Sequence, residues 1–367
     1  VLRFYSSHLL IWDSPSVPRK WDAIAFIQGS VLIPSAVEVN DKYLVIRDMT
    51  YVWLLKFGVS ADNKLVDIVD VPSGKSDLIC PYCGVKLVAK KGQVKEHHFA
   101  HAGQTCRSVT VKRDFPALPL YDNFNIELSG QALQLLKTLW FSCGQNGWSI
   151  PFFVDLKPLI KAKLLQKNPY QNPPGYEFTQ LGKIPVGALA LKEFNQVQEP
   201  LLLKKLSDIE RQTELAKVLK SLDLKERSID LWLYRTQLRR ILKHRLYYLE
   251  LKTNSGTLYK IGVTKRTIEE RVVEIRRDLR CHYKNVELKV LGTWEHRGNV
   301  ELYFKHRYQP FNYRLGNLTE YYKFGTEAEA VLNDLERMHL KCLSQLESHI
   351  LAEDDKPAPA MSQSYCL

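Results

Sequence analysis

No stretch of apolar residues in this chain reaches the ~18–20 that a membrane-spanning helix requires, so neither a membrane span nor a membrane partner is expected. The first residues show no charged segment leading into an apolar core. No signal peptide is read there, and a cytoplasmic setting is the expectation. Cysteine is sparse and odd in number, seven in 367 residues. That parity, with Cys80, Cys83 and Cys106 crowded together, argues against a disulfide framework and for a metal site in a reduced compartment. No internal repeat is visible, which sets aside solenoids and propellers. Acidic residues are outnumbered: 40 Asp and Glu face 52 Lys and Arg, a formal net charge of +12. Such an excess favours a polyanionic partner, through Lys/Arg–phosphate contacts and counterion release. DNA is the partner expected, and a homodimer or a partner protein is kept open.

Apolar residues make up 45% of the chain, enough for real cores, and the length suits two or three domains. Residues 1–112 read as a β-rich region. Short stretches at 31–39, 43–46, 51–55 and 65–71 carry β-branched and aromatic residues between turn signals such as Asp62-Asn63 and Pro72-Ser73-Gly74. Residues 113–245 read as mixed and then helical, with Pro-rich punctuation at 168–175 and helical spacing over 201–222 and 224–245. Residues 246–350 change character again, to strand–turn–strand–helix–strand–helix–strand and a final helix over about 326–350. Residues 351–367 read as a disordered tail. The fold class expected is α+β and multidomain: a β-rich zinc-bearing N-terminal region, a mixed and helical middle, and a small C-terminal α/β sandwich.

Cys80-Pro81-Tyr82-Cys83-Gly84 is a CxxC knuckle, and two thiolates so spaced can grip one tetrahedral Zn²⁺. The other half of the site is sought in His97-His98-Phe99-Ala100-His101 and Cys106. Cys80, Cys83, His101 and Cys106 complete a set of four, with His98 the rival of His101. A lone CxxC also suits a redox pair. The later His and Cys, 18 and 23 residues past Cys83 (101 − 83 and 106 − 83), favour a metal. Four protein ligands leave no open position for chemistry. The zinc would therefore hold shape, or present Lys86, Lys90, Lys91 and Lys95 to a phosphate backbone. The knuckle, the short basic stretch, the HFAH run and the further Cys resemble the N-terminal segment of the CoiA-like competence proteins over about residues 78–107. The resemblance implies DNA processing. The nuclease core that usually follows in that family has no counterpart here, so only the knuckle is carried over.

Residues 246–251 (LYYLEL), the turn at Asn254-Ser255-Gly256 and residues 257–263 (TLYKIGV) read as a hairpin. Thr267 and Glu270 then have capping-box spacing and open a helix whose buried face is Ile268, Val272, Ile275 and Leu279. Arg271 sits at the edge of that face, aimed back at the hairpin. A strand at 286–291, a helix near 299–308 carrying Glu301, and a strand at 320–324 follow.

This order resembles the GIY-YIG nuclease superfamily, in particular its phage-associated branch whose second motif reads YKIG-x-T, over about residues 245–325. The likeness rests on the Tyr-bearing strand, on YKIGVT, on an Arg nine residues after Gly262 (271 − 262), on the helix-borne Glu and on the run Thr319–Tyr322. It implies a ββαβα module with a metal-dependent phosphodiesterase site. There Tyr248 (or its neighbour Tyr247) stands near the attacking water, Arg271 steadies phosphate charge and Glu301 holds Mg²⁺ or Mn²⁺. Phosphodiester cleavage needs such parts: charge stabilisation on the phosphate oxygens and a positioned water. One carboxylate suffices for Mg²⁺, which keeps several waters.

The chain departs from the family pattern at several points. The Gly-Ile of the first motif is missing. Lys260 stands where a Tyr is usual, with Tyr259 one step earlier. The two point to opposite faces of a strand, so only one can reach a common site. Lys305 replaces a His four residues after Glu301, with His306 next. Glu320 and Asn317 are the candidates for a supporting Asn. Arg239, Arg240, Lys243, Lys265 and Arg266 are the expected nucleic-acid contacts. The function expected is a DNA endonuclease with a structural zinc. A catalytically inactive DNA-binding or regulatory protein is the alternative, and a zinc-dependent scaffold a third.

Overall fold

A computed structural model describes residues 54–92, 97–110, 116–152, 154–170, 174–316 and 318–353. The strands expected at 31–39 and 43–46, most of that at 51–55, Lys95, Asn317 and the tail beyond 353 lie outside the described residues. The expectation of an α+β chain holds: several antiparallel sheets alternate with helices. No helix among the described residues is long and apolar enough to cross a membrane.

The first sheet has five short strands, β1 (Phe57–Val59), β2 (Leu65–Asp67), β3 (Gly74–Ile79), β4 (Lys86–Lys90) and β5 (His98–His101), ordered β2-β1-β3-β4-β5. The strand expected over 65–71 is cut short. The Asp67 side chain accepts from the Val69 N–H and starts a 3-10 turn at Ile68–Asp70 instead, the usual competition of Asp with ladder hydrogen bonds.

After a short α1 (Arg107–Thr110) comes a small unit of α2 (Gly130–Ser142), α3 (Lys157–Lys161) and the hairpin β6 (Leu165–Asn168)–β7 (Gly175–Phe178), which spans the Pro-rich punctuation. A one-turn α4 (Gln180–Lys183) leads to the long α5 (Leu191–Val218), which begins ten residues earlier than the 201 expected (201 − 191) and carries Pro200 inside it. α6 (Leu224–Lys243) packs antiparallel beside it. α6 is shared between two cores. Ile229 and Leu233 join the apolar cluster under the first sheet, whereas Tyr234, Leu238, Ile241 and Leu242 join α5.

The second sheet is built on the expected hairpin, β8 (Arg245–Thr253) and β9 (Gly256–Thr264). α7 (Ile268–Leu279) starts at a capping box in which Thr267 and Glu270 bond reciprocally, as their spacing predicts. β10 (Val286–Trp294), α8 (Val300–Arg307), β11 (Asn312–Leu315) and β12 (Leu318–Tyr322) complete the order β10-β8-β9-β12-β11. The two faces are packed differently. Tyr247, Leu249, Leu251, Leu258 and Tyr321 meet Ile275 and Leu279 of α7. Leu246, Tyr248, Ile261 and Tyr322 meet Val300, Tyr303 and Phe304 of α8 and Phe194 of α5.

The single helix expected over about 326–350 is two, α9 (Ala328–Glu336) and α10 (Gln345–Ala352). A second capping box, Ser344 with Glu347, restarts the chain after the break.

Candidate functional site

Two groups of side chains carry chemistry. The first lies at one end of the first sheet. β3 ends at Ile79 and the chain turns tightly, with Gly84 N–H bonded to Cys80 C=O at 2.9 Å and Cys80 N–H to Val85 C=O at 2.8 Å. Gly84 takes φ 76°, a left-handed value that Gly adopts without strain. This puts Cys80 and Cys83 on one knuckle. His101 closes β5 and Cys106 precedes α1.

One ligand atom from each of Cys80, Cys83, His101 and Cys106 lies within 4.8 Å of all the others, and Cys83 Sγ is 3.3 Å from His101 Nε2. Thiolates on a tetrahedral Zn²⁺ at ~2.3 Å stand roughly 3.8 Å apart, so the donor set and spacing fit a metal such as zinc. Cys80 is fully buried, and its thiol is pushed far up by hydrogen bonds with Cys106 and Cys83, then by burial. The Cys80 side chain in turn pulls Cys83 and Cys106 down. His98 stays out of the cluster because strand alternation turns it away. Phe99 and His101 face inward, and His98 faces the other side of β5.

The second group lies on the second sheet. Tyr247 pairs directly with Gly262, and Leu249 with Lys260, so Tyr247 and Lys260 share the face covered by α7. The Arg271 Nε–H donates to the Tyr247 hydroxyl at 3.2 Å, and Arg271 is itself held by Glu274 at 2.7 Å. Burial pushes the Tyr247 hydroxyl up to about 12, against the pull of Arg271. Gly262 has a plain steric role: a Cβ there would come within 2.3 Å of the Tyr247 hydroxyl.

Lys260 is 4% exposed, and its ammonium lies 2.8 Å from Glu320 and 4.6 Å from the Tyr321 ring centre. Burial lowers its pKa, and Glu320 opposes this. The other oxygen of Glu320 meets Lys305 at 2.8 Å, and Lys305 also meets Glu301 at 3.0 Å. Against burial, Lys260 and Lys305 bring Glu320 down to about 2. Glu301 and Glu320 likewise hold Lys305 above its ordinary value despite burial. β9 and β12 pair only at Tyr321–Lys260 and Tyr322–Tyr259, and the charged chain Glu301–Lys305–Glu320–Lys260 forms at the end of this short ladder.

The remaining sequence candidates fall elsewhere. Tyr248, the first choice from sequence, is fully buried on the α8 face. It stacks on Tyr259 at 5.7 Å, and its hydroxyl has no hydrogen-bond partner among the described residues. Alternation along β8 is the reason: when Tyr247 meets Arg271, Tyr248 must enter the opposite core. Tyr259 goes with Tyr248, which leaves Lys260 beside the Arg271 face. His306 is occupied by Phe124, on which it stacks at 4.9 Å, and by the Ile184 carbonyl at 3.0 Å.

Among the basic candidates, Arg239 is 4% exposed and bound to the Ile350 carbonyl and Glu353, so it holds α10 to α6 and does not face solvent phosphate. Arg240 meets Asp67 at 2.7 Å, and Arg266 is exposed beside Glu274. Lys243 and Lys265 are exposed. The linking roles of Glu320 and Lys305 and the clamp of Glu274 on Arg271 escaped sequence reasoning. Only the i,i+3 spacing of Arg271 and Glu274 hinted at one of them.

Comparison with known proteins finds one family. The model of the competence protein CoiA N-terminal domain matches residues 68–109, a span that contains all four members of the Cys/His cluster. No curated protein and no solved structure matches the chain.

Proposed function

We propose that this protein is a metal-dependent DNA endonuclease that hydrolyses phosphodiester bonds through a GIY-YIG-type site, with a structural zinc in a CoiA-like N-terminal sheet. The observation that carries the reading is the meeting of Tyr247, Arg271, Lys260 and the Glu301–Lys305–Glu320 chain at one end of an antiparallel sheet. These are the residue types that phosphodiester hydrolysis needs, and they come from five separate elements.

Tyr247 stays protonated near neutral pH, because its hydroxyl is held up at about 12. A hydroxyl has one donor and two acceptor positions. Arg271 donates to one acceptor position of this fully buried hydroxyl, and Tyr247 would thereby hold the guanidinium toward the phosphate. Arg271 and Lys260 supply positive charge for the phosphate oxygens. Glu301, now paired with Lys305, is the residue that would hold Mg²⁺ or Mn²⁺. Glu301 and Glu320 offer hard oxygen donors, and a divalent ion there would take the place that the Lys305 ammonium now holds between them. The bound ion would supply Lewis-acid stabilisation of the developing charge. One such site per chain cuts one strand per encounter, so cutting both strands needs a dimer or two events.

One observation favours a second reading, an inactive DNA-binding or regulatory protein: Lys305 already neutralises Glu301 at 3.0 Å. Incubation of supercoiled plasmid with the wild type and with Glu301→Gln, in Mg²⁺ or Mn²⁺ and without chelator, separates the two. Metal-dependent nicking that vanishes in Glu301→Gln supports the nuclease. Salt-sensitive DNA binding with no cutting by the wild type replaces it with the inactive binder.

A further inference from the structure

α7 carries arginines on two different sides. Arg271 turns inward, to Tyr247 and Glu274. Arg276, Arg277 and Arg280 are exposed. Ile275 and Leu279 mark the buried side of the helix. At ~100° per residue, Arg277 points almost directly away from them, and Arg276 and Arg280 stand beside it, one turn and a rise of ~6 Å apart. Exposed His282 and Lys284 carry the positive charge past the helix end. There His282 lies against the turn between β11 and β12: a Cβ on Gly316 would come within 3.1 Å of the imidazole.

None of Arg276, Arg277, Arg280 and Lys284 makes an ion pair or a side-chain hydrogen bond among the described residues. The acid within reach of Arg277, one turn earlier, is Glu274, and Arg266 and Arg271 already share it. Asp278 is the one acid between 276 and 284. It stands ~100° round the helix from Arg277, on the side toward the sheet.

The helix dipole favours cations in the last turn, which suits Arg276 and Arg277. It does not account for the whole group. Arg276 and Arg280 are like charges at i,i+4, and Arg277 and Arg280 at i,i+3, spacings at which repulsion disfavours the helix. Lys284 lies beyond the turn where the dipole acts. A surface of unpaired cations of one sign attracts a polyanion. Guanidinium groups fork onto phosphate oxygens through two parallel hydrogen bonds, and a row of them matches an anion whose charges repeat.

We propose that this outer face of α7, with Arg276, Arg277 and Arg280 at its centre and Lys284 beyond them, binds the phosphate backbone of DNA. The proposal rests on the nuclease reading for the identity of its ligand and deepens that reading: one helix would carry both the arginine for the scissile phosphate and the arginines that hold the substrate.

The test measures binding alone. A fluorescein-labelled DNA duplex is titrated with full-length Glu301→Gln protein, without divalent cation or chelator, between about 50 and 200 mM salt. Adding Arg276→Gln, Arg277→Gln and Arg280→Gln together is expected to weaken binding at least tenfold and to flatten the log K against log salt slope by about 2–3. Gln is nearly as good a helix former as Arg. Arg280→Gln alone should flatten the slope by about 1 and guards against misfolding of the triple variant. A charge-matched control, Arg211→Gln with Lys217→Gln and Lys220→Gln at the exposed end of α5, should keep the affinity within about threefold. Unchanged affinity and slope in both α7 variants would overturn the proposal. Equal weakening by the α5 control would also overturn it, because net charge and not this face would then bind. So would loss of binding to a labelled polyglutamate peptide in the triple variant with DNA affinity untouched, which would assign the face to an acidic protein. The plasmid assay reads the nuclease proposal separately: a wild type that never cuts, with α7 variants that bind DNA weakly, sinks the nuclease and keeps the binding face.

Discussion

The Cys/His cluster and the charged network of the second sheet are built on opposite principles. The cluster draws its four side chains from residues 80–106: two on one knuckle, one at the end of β5 and one just before α1. Its ligands are all of the protein's own making, so it is closed. The network draws on residues 247–320, across β8, β9, α7, α8 and β12, and it neutralises itself through alternating ammonium and carboxylate groups. A local site announces itself by spacing. A site assembled from distant strands depends on register and on which face each side chain takes, and residue spacing alone leaves that open. The comparison also separates what each region must do. A closed cluster of four protein side chains suits holding shape, whereas the internally paired network ties together strands and helices that lie far apart in the sequence.

The largest expected effect falls on the closed site. Cys80→Ser or His101→Ala should reduce bound zinc, measured by mass spectrometry of the purified protein, from one per chain to a small fraction, and unfold the first sheet. Structural zinc contributes about 10 kcal/mol or more to small folds at neutral pH. His98→Ala should keep its zinc. Zinc lost equally in both His variants would break the assignment of the fourth ligand.

On the second sheet, the proposed nuclease predicts that Tyr247→Phe slows plasmid nicking by about a hundredfold, in the range for a group that positions or transfers a proton, whereas Tyr248→Phe stays within about threefold. The reverse order would move the site to the other face of β8.

Gly262→Ala should destabilise the protein by about 1–3 kcal/mol through overpacking against Tyr247, read as a shift in denaturant midpoint. Pairing it with Tyr247→Ala should recover much of that loss, since the ring that the new methyl meets is gone.

The smallest effect is one of pH. The Glu320 carboxyl, held at about 2 by Lys260 and Lys305, has a depressed folded-state pKa. Its contribution is therefore present above the ordinary glutamate value and is lost as pH falls from there toward 2. Wild type should lose more stability than Glu320→Gln between about pH 5 and pH 3. Parallel curves would remove Glu320 from the centre of the network.

Much of the second sheet was legible because its signals are local. The hairpin follows from the Asn254-Ser255-Gly256 turn, and α7 begins at Thr267 because Thr267 and Glu270 cap each other in any context that lets the helix form. The break between α9 and α10 has the same kind of local signal, Ser344 and Glu347, hidden inside what reads as a continuous helical pattern. The Cys/His spacing likewise specified a four-ligand cluster before any geometry was known, and strand alternation then decided His101 over His98.

Three-dimensional packing alone chose between Tyr247 and Tyr248 and between Tyr259 and Lys260. Adjacent residues of a strand are equivalent until a helix covers one face, and here α7 covers the face of Tyr247 and Lys260. It also turned Arg239 inward to Glu353 and brought Lys64 beside Lys243 and Lys265. Side-chain burial and contacts across long sequence separations arise from the packing of whole elements. No short window of residues carries that information.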